Sequence, residues 1–127
     1  MANGADICKE WLEIAHMDIE AAQFLMQMRP LPVEVICYHC EQAAEKALKG
    51  YLVYKGEEAP KTHDLIRLCK LCCDIKPDFQ NLSDQCLELI PYGVTIRYPS
   101  KMDLHDEDAA SALSSCKEII NFVERKI

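Results

Sequence analysis

The segment from Val33 to Lys55 constrains the fold most, because its residue pattern fits one long helix. Its apolar residues recur at intervals of three and four, which places them on one helical face: Ile36, Cys40, Ala43, Ala44, Ala47, Tyr51 and Tyr54. The small alanines allow a neighbouring helix to approach closely. Glu41, Glu45 and Lys49 form a ladder of i,i+4 pairs on the opposite side. Gly56 is the expected C-terminal stop.

Helical spacing continues on both sides of this segment. A first helix should end before the Arg29-Pro30-Leu31-Pro32 sequence, since proline disfavours helix in the residue before it. Its predicted apolar face comprises Ile7, Trp11, Ile14, Ala15, Ala22 and Leu25. Thr62 is the predicted N-cap of a short helix, with Asp64 in the first turn. The inward residues of this short helix are Leu65, Leu68, Cys69 and Cys72.

Two further helices complete the predicted fold. One begins near Pro77 and is bent or ended by Pro91, with Phe79, Leu82, Cys86, Leu89 and Ile90 facing inward. Residues 92–99 are expected to be irregular. The last helix begins near Asp103, with Ala109, Leu113, Cys116, Ile120 and Val123 in the core. No segment alternates as a strand would. We therefore predict an all-α, up-and-down four-helix bundle with an additional short helix, in one domain over residues 1–127.

The charge and hydropathy of the chain exclude some functions. A net charge of −7 argues against broad, charge-driven binding to nucleic acid, which requires many Lys and Arg side chains. No apolar run reaches the length of a membrane span, and the first residues lack the pattern of a signal peptide. We therefore expect a cytoplasmic protein without membrane contact, whose thiols stay reduced.

The eight cysteines include two pairs with the spacing of a zinc site, Cys37-x-x-Cys40 and Cys69-x-x-Cys72. Both pairs lie inside strong helical patterns rather than on the tight turns that hold structural zinc. Free cysteine packs as a small apolar residue in such positions. We therefore expect core cysteines, with no metal and no cofactor.

Candidate site residues lie on the first two helices. Asp18 falls near the middle of the first helix's apolar face, where a carboxylate is costly unless it is paired. It is either a structural partner for a Lys, Tyr or His on another helix, or an acid with a shifted pKa at a central site. His39, Gln42 and Lys46 form a polar row beside the apolar face of the second helix, where they could border a groove.

Arg97 and His105 are the candidate catalytic pair. An Arg that stabilises phosphorane charge and a His that exchanges protons near neutral pH can together cleave RNA without metal. Tyr92 and Tyr98 nearby could stack on bases. In the alternative interpretation, Arg97 caps a helix or pairs with a carboxylate, and His105 is a solvated first-turn residue.

The chain resembles the HEPN domain family (higher eukaryotes and prokaryotes nucleotide-binding) along essentially its whole length. The matching residues are Trp11, Ala15 and Asp18; residues 38–49, YHCEQAAEKALK; residues 61–65, KTHDL; Arg97-Tyr98-Pro99; and the apolar face of the last helix. The resemblance implies an all-α bundle that forms a symmetric homodimer. Many relatives are encoded beside a minimal nucleotidyltransferase and act as the toxin of a toxin–antitoxin pair.

The resemblance also implies that some relatives are metal-independent endoribonucleases, whose signature is an Arg and a His separated by four to six residues. The paired signatures of two protomers line one cleft. Here seven residues separate Arg97 from His105, and Pro99 lies between them. Two hypotheses follow from this departure. The first is a nucleotide- or partner-binding half of a HEPN–nucleotidyltransferase system, and the second is an endoribonuclease that uses Arg97 and His105.

Overall fold

The computed structural model describes residues 3–93 and 103–127, and every regular element within these ranges is helical. The α-helices in chain order are α1 (Gly4–Leu25), α2 (Val33–Tyr54), α3 (Leu65–Ile75), α4 (Ser83–Leu89) and α5 (Asp106–Arg125). One 3-10 segment, Pro77–Leu82, precedes α4, and a second, Ile90–Gly93, follows it. Across the described ranges, no helix combines the length and apolar character needed to span a bilayer.

Helix α2 lies at the centre of the bundle, and 15 of its 22 residues are buried. Helix α1 packs antiparallel to it, as the contacts of Asp18 with His39 and of Trp11 with Gly50 show. A Cβ atom at Gly50 would lie 3.1 Å from the Cβ of Trp11, so the glycine permits this close approach. Helices α3 and α5 and the second 3-10 segment cover the remaining sides of α2.

An aromatic cluster joins three elements in the core. The ring centroid of Phe79 lies 4.4 Å from that of Tyr51 on α2 and 4.9 Å from that of Phe122 on α5. Each such pair adds about 0.5–1.5 kcal/mol beyond the burial of its area. The first 3-10 segment is thereby fixed against both long helices.

Helix α4 crosses α5 in the antiparallel direction. Glu88 accepts hydrogen bonds from the Ser111 and Ser115 hydroxyls, while Gln85, one turn earlier on α4, bonds Glu118, further along α5. The predicted all-α bundle is confirmed, but the single helix predicted from near Pro77 to Pro91 is not. Its sequence forms the two 3-10 segments and a seven-residue α4 instead.

Two local predictions were wrong. Asp64, not Thr62, caps α3, because its backbone is extended and its Oδ1 accepts from the amides of Ile66 and Arg67. The Thr62 hydroxyl accepts from the Asp64 amide instead. Ile14 was assigned to the core face of α1 but is 43% exposed. The buried face of α1 is Cys8, Ala15, Ile19 and Ala22, which turns Ile14 outward.

Candidate functional site

The polar row of α2 consists of His39, Gln42 and Lys46, all half-buried on one side of the helix. Gln42 connects the row to its surroundings, since its Oε1 accepts from Lys46 Nζ at 3.2 Å. Its Nε2 donates to Oε1 of Glu41 at 2.8 Å. Because the amide is held at both ends, Gln42 fixes the position of the Lys46 ammonium group. The row is therefore an ordered polar surface rather than a set of solvated side chains.

Asp18 on α1 joins this row through His39. Its Oδ1 lies 2.9 Å from His39 Nδ1, and the two side chains are 21% and 28% exposed. Asp18 is thus paired with a histidine on another helix, which agrees with the interpretation of this residue as a structural partner. A carboxylate on Nδ1 orients the imidazole and leaves Nε2 as the ring nitrogen that a ligand can engage.

A buried carboxylate, Glu45, lies beside the row. It is fully buried and contacts three basic side chains, with Lys49 Nζ at 3.1 Å, Lys46 Nζ at 3.3 Å and His63 Nδ1 at 3.0 Å. Burial raises the pKa of Glu45, but the hydrogen bonds from His63 and Lys49 outweigh it, so the pKa lies below its ordinary value. The cluster ties the turn that carries His63 to α2.

The burial of this charged cluster is not predicted from the sequence. The ladder of Glu41, Glu45 and Lys49 was assigned to the side opposite the apolar face, yet all three residues are buried. The i,i+4 spacing of Glu45 and Lys49 predicts their ion pair. It does not show that other elements of the fold also cover this side of α2.

Glu41 lies against the second 3-10 segment. A Cβ atom at Gly93 would come within 2.8 Å of the Glu41 carboxyl carbon. The close packing of the Gly93 backbone against this carboxylate therefore requires a residue without a side chain. The next residues, including the candidates Arg97 and Tyr98, lie outside the described part of the chain.

His105 is the N-cap of α5. Its backbone N–H donates to Asp108 Oδ2 at 2.8 Å, while its imidazole is 65% exposed and lies 3.6 Å from Asp103 Oδ2. The acidic first turn of Asp106, Glu107 and Asp108 suits the positive end of the helix dipole. His105 is therefore accessible to solvent at the start of α5.

Tyr92 is not available for base stacking, which corrects the expectation for this residue. It is 6% exposed because the second 3-10 segment packs against α2, and its hydroxyl lies beside the Cys37 thiol. Burial raises the pKa of Tyr92 to about 12. The ring belongs to the core.

The outer face of α1 carries an apolar stripe next to Asp18. Ile14, Met17 and Phe24, which we call the α1 stripe, are 43%, 70% and 73% exposed. Large apolar side chains that share one helical face mark interaction surfaces more often than isolated ones do. The Asp18–His39 hydrogen bond joins the polar row of α2 to α1, the helix that carries this stripe.

The cysteines and a hollow between α2 and α3 are separate features of the fold. Seven of the eight free thiols are buried, and Cys73 is half-buried. Within residues 3–93 and 103–127, no group of three or more His, Cys, Asp or Glu side chains has an arrangement that could hold a metal ion. A hollow of about 330 Å³ between α2 and α3 is bordered by Leu52, Glu57, Glu58, Pro60, Leu71, Asp74 and Ile75.

Comparison with family models matches residues 8–126 to the HEPN domain. The chain therefore belongs to the HEPN family. Among solved structures it is similar to TT1696 from Thermus thermophilus, with 27% identity and a TM-score of 0.77 over 94% of this chain and 98% of that one.

A second similar structure is ST0689, an archaeal HEPN homologue, with 22% identity and a TM-score of 0.74. The match covers 99% of this chain and 98% of that chain, and at this identity it supports the fold alone. A search of curated proteins gave no match.

Proposed function

We propose that this chain is the nucleotide- or partner-binding half of a HEPN–minimal nucleotidyltransferase system of the toxin–antitoxin type, and that it acts as a homodimer. One observation carries the proposal: the Asp18–His39 hydrogen bond joins the ordered polar row of α2 to α1, the helix that carries the exposed α1 stripe. A surface of this kind offers polar groups to a ligand and an apolar area to a protein partner.

The polar row supports the nucleotide-binding part of the proposal. Lys46 supplies an ammonium group that is held by Gln42 and is 20% exposed. Partial removal from water strengthens its attraction to a phosphate oxygen. His39, oriented by Asp18, supplies a ring nitrogen that could donate to the same anion.

The α1 stripe supports the homodimer. A second copy that packs by two-fold symmetry would bury the same stripe on both protomers. An aromatic side chain such as Phe24 buries about 150–250 Å² when it is covered completely, so it would be the largest single apolar contributor of the stripe.

Calorimetric titration of the purified chain with ATP and GTP tests nucleotide binding. Lys46→Met keeps the length of the side chain but removes its charge, and should weaken binding about tenfold, since one charge-assisted bond is worth about 1.5 kcal/mol or more. Lys70→Met on the exposed side of α3 is the matched control and should leave affinity unchanged. Absence of binding to the unmodified chain, or equal loss in both variants, would refute this part.

Light scattering tests the homodimer. The unmodified chain should have the mass of a dimer, and Phe24→Glu should have that of a monomer. Leu87 on α4 is 59% exposed, so Leu87→Glu introduces the same charge at another exposed apolar residue and should remain dimeric. A monomeric unmodified chain, or a dimeric Phe24→Glu variant, would contradict the proposal.

The second candidate function is a metal-independent endoribonuclease that uses Arg97 and His105. The exposed imidazole of His105 favours it, because a proton-transfer group must be reachable by RNA. The test incubates the purified chain with RNA in the presence of a metal chelator. Cleavage that disappears in Arg97→Ala and in His105→Ala would establish this activity, and intact RNA with the unmodified chain would eliminate it.

A further inference from the structure

The hollow between α2 and α3 has an apolar lining that comes from both helices. Leu52 on α2 is 2% exposed, and Leu71 on α3 is half-buried. Ile75, at the end of α3, extends this lining and is 37% exposed. The volume of about 330 Å³ lies at the lower end of the range for small-molecule sites, roughly 300–1,000 Å³. No residue that borders the hollow belongs to the polar row or to the α1 stripe.

The same hollow is bordered by three carboxylates, Glu57, Glu58 and Asp74, which we call the acidic rim. All three side chains are exposed, and no Lys, Arg or His borders the hollow with them. Within the described part of the chain, none of the three has an ion-pair partner. Lys55, two residues before Glu57, lies instead over two tyrosine rings of α2. The acidic rim therefore carries negative charge that a bound cation could neutralise.

Both helices end at the hollow, which adds to its negative potential. Leu52 lies in the last turn of α2, and Asp74 and Ile75 lie in the last turn of α3. A helix C-terminus carries a partial negative charge, so a cation is favourable there and an anion is not. Neither last turn contains a basic residue. The rim carboxylates thus lie where they repel the helix ends, and a cation in the hollow would relieve this repulsion.

The backbone that carries Glu57 is ordered by the end of α2. Gly56 has a φ of 90°, the left-handed conformation that ends many helices. This turn allows the Glu57 amide to donate to the Leu52 carbonyl at 3.0 Å. The first residue of the acidic rim is therefore tied directly to a residue of the apolar lining.

We propose that this hollow binds an aliphatic polyamine, whose methylene groups pack on the apolar lining and whose ammonium groups contact the acidic rim. The combination of the two surfaces selects this class of ligand. A hydrated metal ion would leave Leu52, Leu71 and Ile75 without a contact, and a neutral apolar molecule would leave the rim carboxylates unneutralised. A polyamine offers both an apolar chain and positive charges.

Titration of the isotope-labelled chain with spermidine, followed by amide NMR shifts, tests the location of the site. The shifts should be largest around Leu52, Glu57, Leu71 and Asp74, and the binding should saturate. Shifts centred on another acidic surface, or shifts that never saturate, would overturn the proposal.

Two double variants test the acidic rim by calorimetry. Glu58→Gln with Asp74→Asn should weaken spermidine binding about tenfold, since each exposed ion pair contributes a factor of about three. Glu10→Gln with Glu13→Gln removes the same charge from the exposed side of α1 and should leave the affinity unchanged. Equal losses in the two variants would indicate a general effect of net charge and would refute a defined site.

Thermal unfolding separates binding from folding, because the rim carboxylates have no stabilising partner in the described part of the chain. The rim variant should melt at or above the temperature of the unmodified chain, and a lower melting temperature would contradict the assignment of the rim to a ligand. Magnesium ions test the apolar lining, since they carry charge without methylene groups. They should not displace spermidine at equal concentration, and displacement would show that the lining is not used.

Discussion

His63 and Glu45 meet at 3.0 Å, although the histidine side chain is 74% exposed and the carboxylate is fully buried. The contact fixes the turn before α3 to the middle of α2. Lys49, which is 6% exposed, shares the same carboxylate at 3.1 Å. Glu45 therefore neutralises the nearly buried Lys49 ammonium group and also binds the surface turn that carries His63.

Replacing Glu45 with Gln should destabilise the fold by about 3 kcal/mol at pH 7, because it leaves the Lys49 ammonium buried without its counter-charge. Urea unfolding followed by circular dichroism measures the change. Glu57→Gln, at an exposed residue, is the control and should stay within about 0.5 kcal/mol of the unmodified chain. A similar cost in both variants would show that the cluster is not stabilising.

The cost of Glu45→Gln should shrink in acid. The pKa of Glu45 is lowered in the folded state from an ordinary value of 4.5, so its ionisation stabilises the fold fully above that pH. This stabilisation is lost as the pH falls below 4.5 through the folded pKa, when the carboxylate becomes protonated. Unfolding curves of the two proteins, measured from pH 7 downward, should converge in this acid range. A difference that stays constant would contradict the expected ionisation.

The hydrogen bond between Asp18 and His39 should have a measurable coupling energy. A double-mutant cycle with Asp18→Asn and His39→Gln is expected to give about 0.5–1 kcal/mol, since the pair is half-buried. His16 and Glu124 are equally close, at 2.9 Å, but are 44% and 41% exposed. The corresponding cycle for this second pair should give less than about 0.5 kcal/mol. Equal coupling in the two cycles would mean that exposure does not control the strength of these pairs.

Phe79→Leu should destabilise the chain by about 1–2 kcal/mol, because the smaller side chain leaves space between Tyr51 and Phe122. Phe24→Leu makes the same chemical change at a residue that is 73% exposed, and in dilute monomeric protein it should cost less than about 0.5 kcal/mol. Thermal unfolding of both variants measures the difference. Similar melting temperatures would show that the aromatic cluster is not close-packed.

Gly93→Ala should displace the Glu41 carboxylate, since the added Cβ atom would lie only 2.8 Å from it. We expect a loss of about 1–2 kcal/mol in the unmodified chain, the typical cost of forcing an extra carbon into a packed site. The same substitution in a Glu41→Ala background should cost less, because the clash is gone. Chemical denaturation of the four proteins checks this, and strictly additive costs would count against the contact.

Periodicity was sufficient to predict the inner faces of α2 and α5. Ala43, Ala47, Cys116 and Ile120 were all assigned to the core and are buried. A spacing of three and four identifies the side of a helix that faces its main neighbour, and this information is local. The all-α bundle and its family could therefore be predicted from the sequence.

Features that depend on more than one neighbour could not be predicted in this way. Glu45 and Lys49 are buried because other elements cover the second side of α2, which no periodicity within α2 records. Tyr92 is buried because a 3-10 segment, not a loop, carries it onto α2. In the candidate site, Gln42 and Lys46 were assigned to a groove, but their mutual hydrogen bond follows from rotamers that only the structure gives.

The buried thiols can report the local opening of this fold. Every α-helix contributes at least one cysteine: Cys8 on α1, Cys37 and Cys40 on α2, Cys69, Cys72 and Cys73 on α3, Cys86 on α4, and Cys116 on α5. A buried thiol reacts with an alkylating reagent only while its surroundings are open, so its labelling rate reports the free energy of that opening. Time-resolved labelling of the natural sequence would therefore reveal the order in which the helices separate, without the introduction of further cysteines.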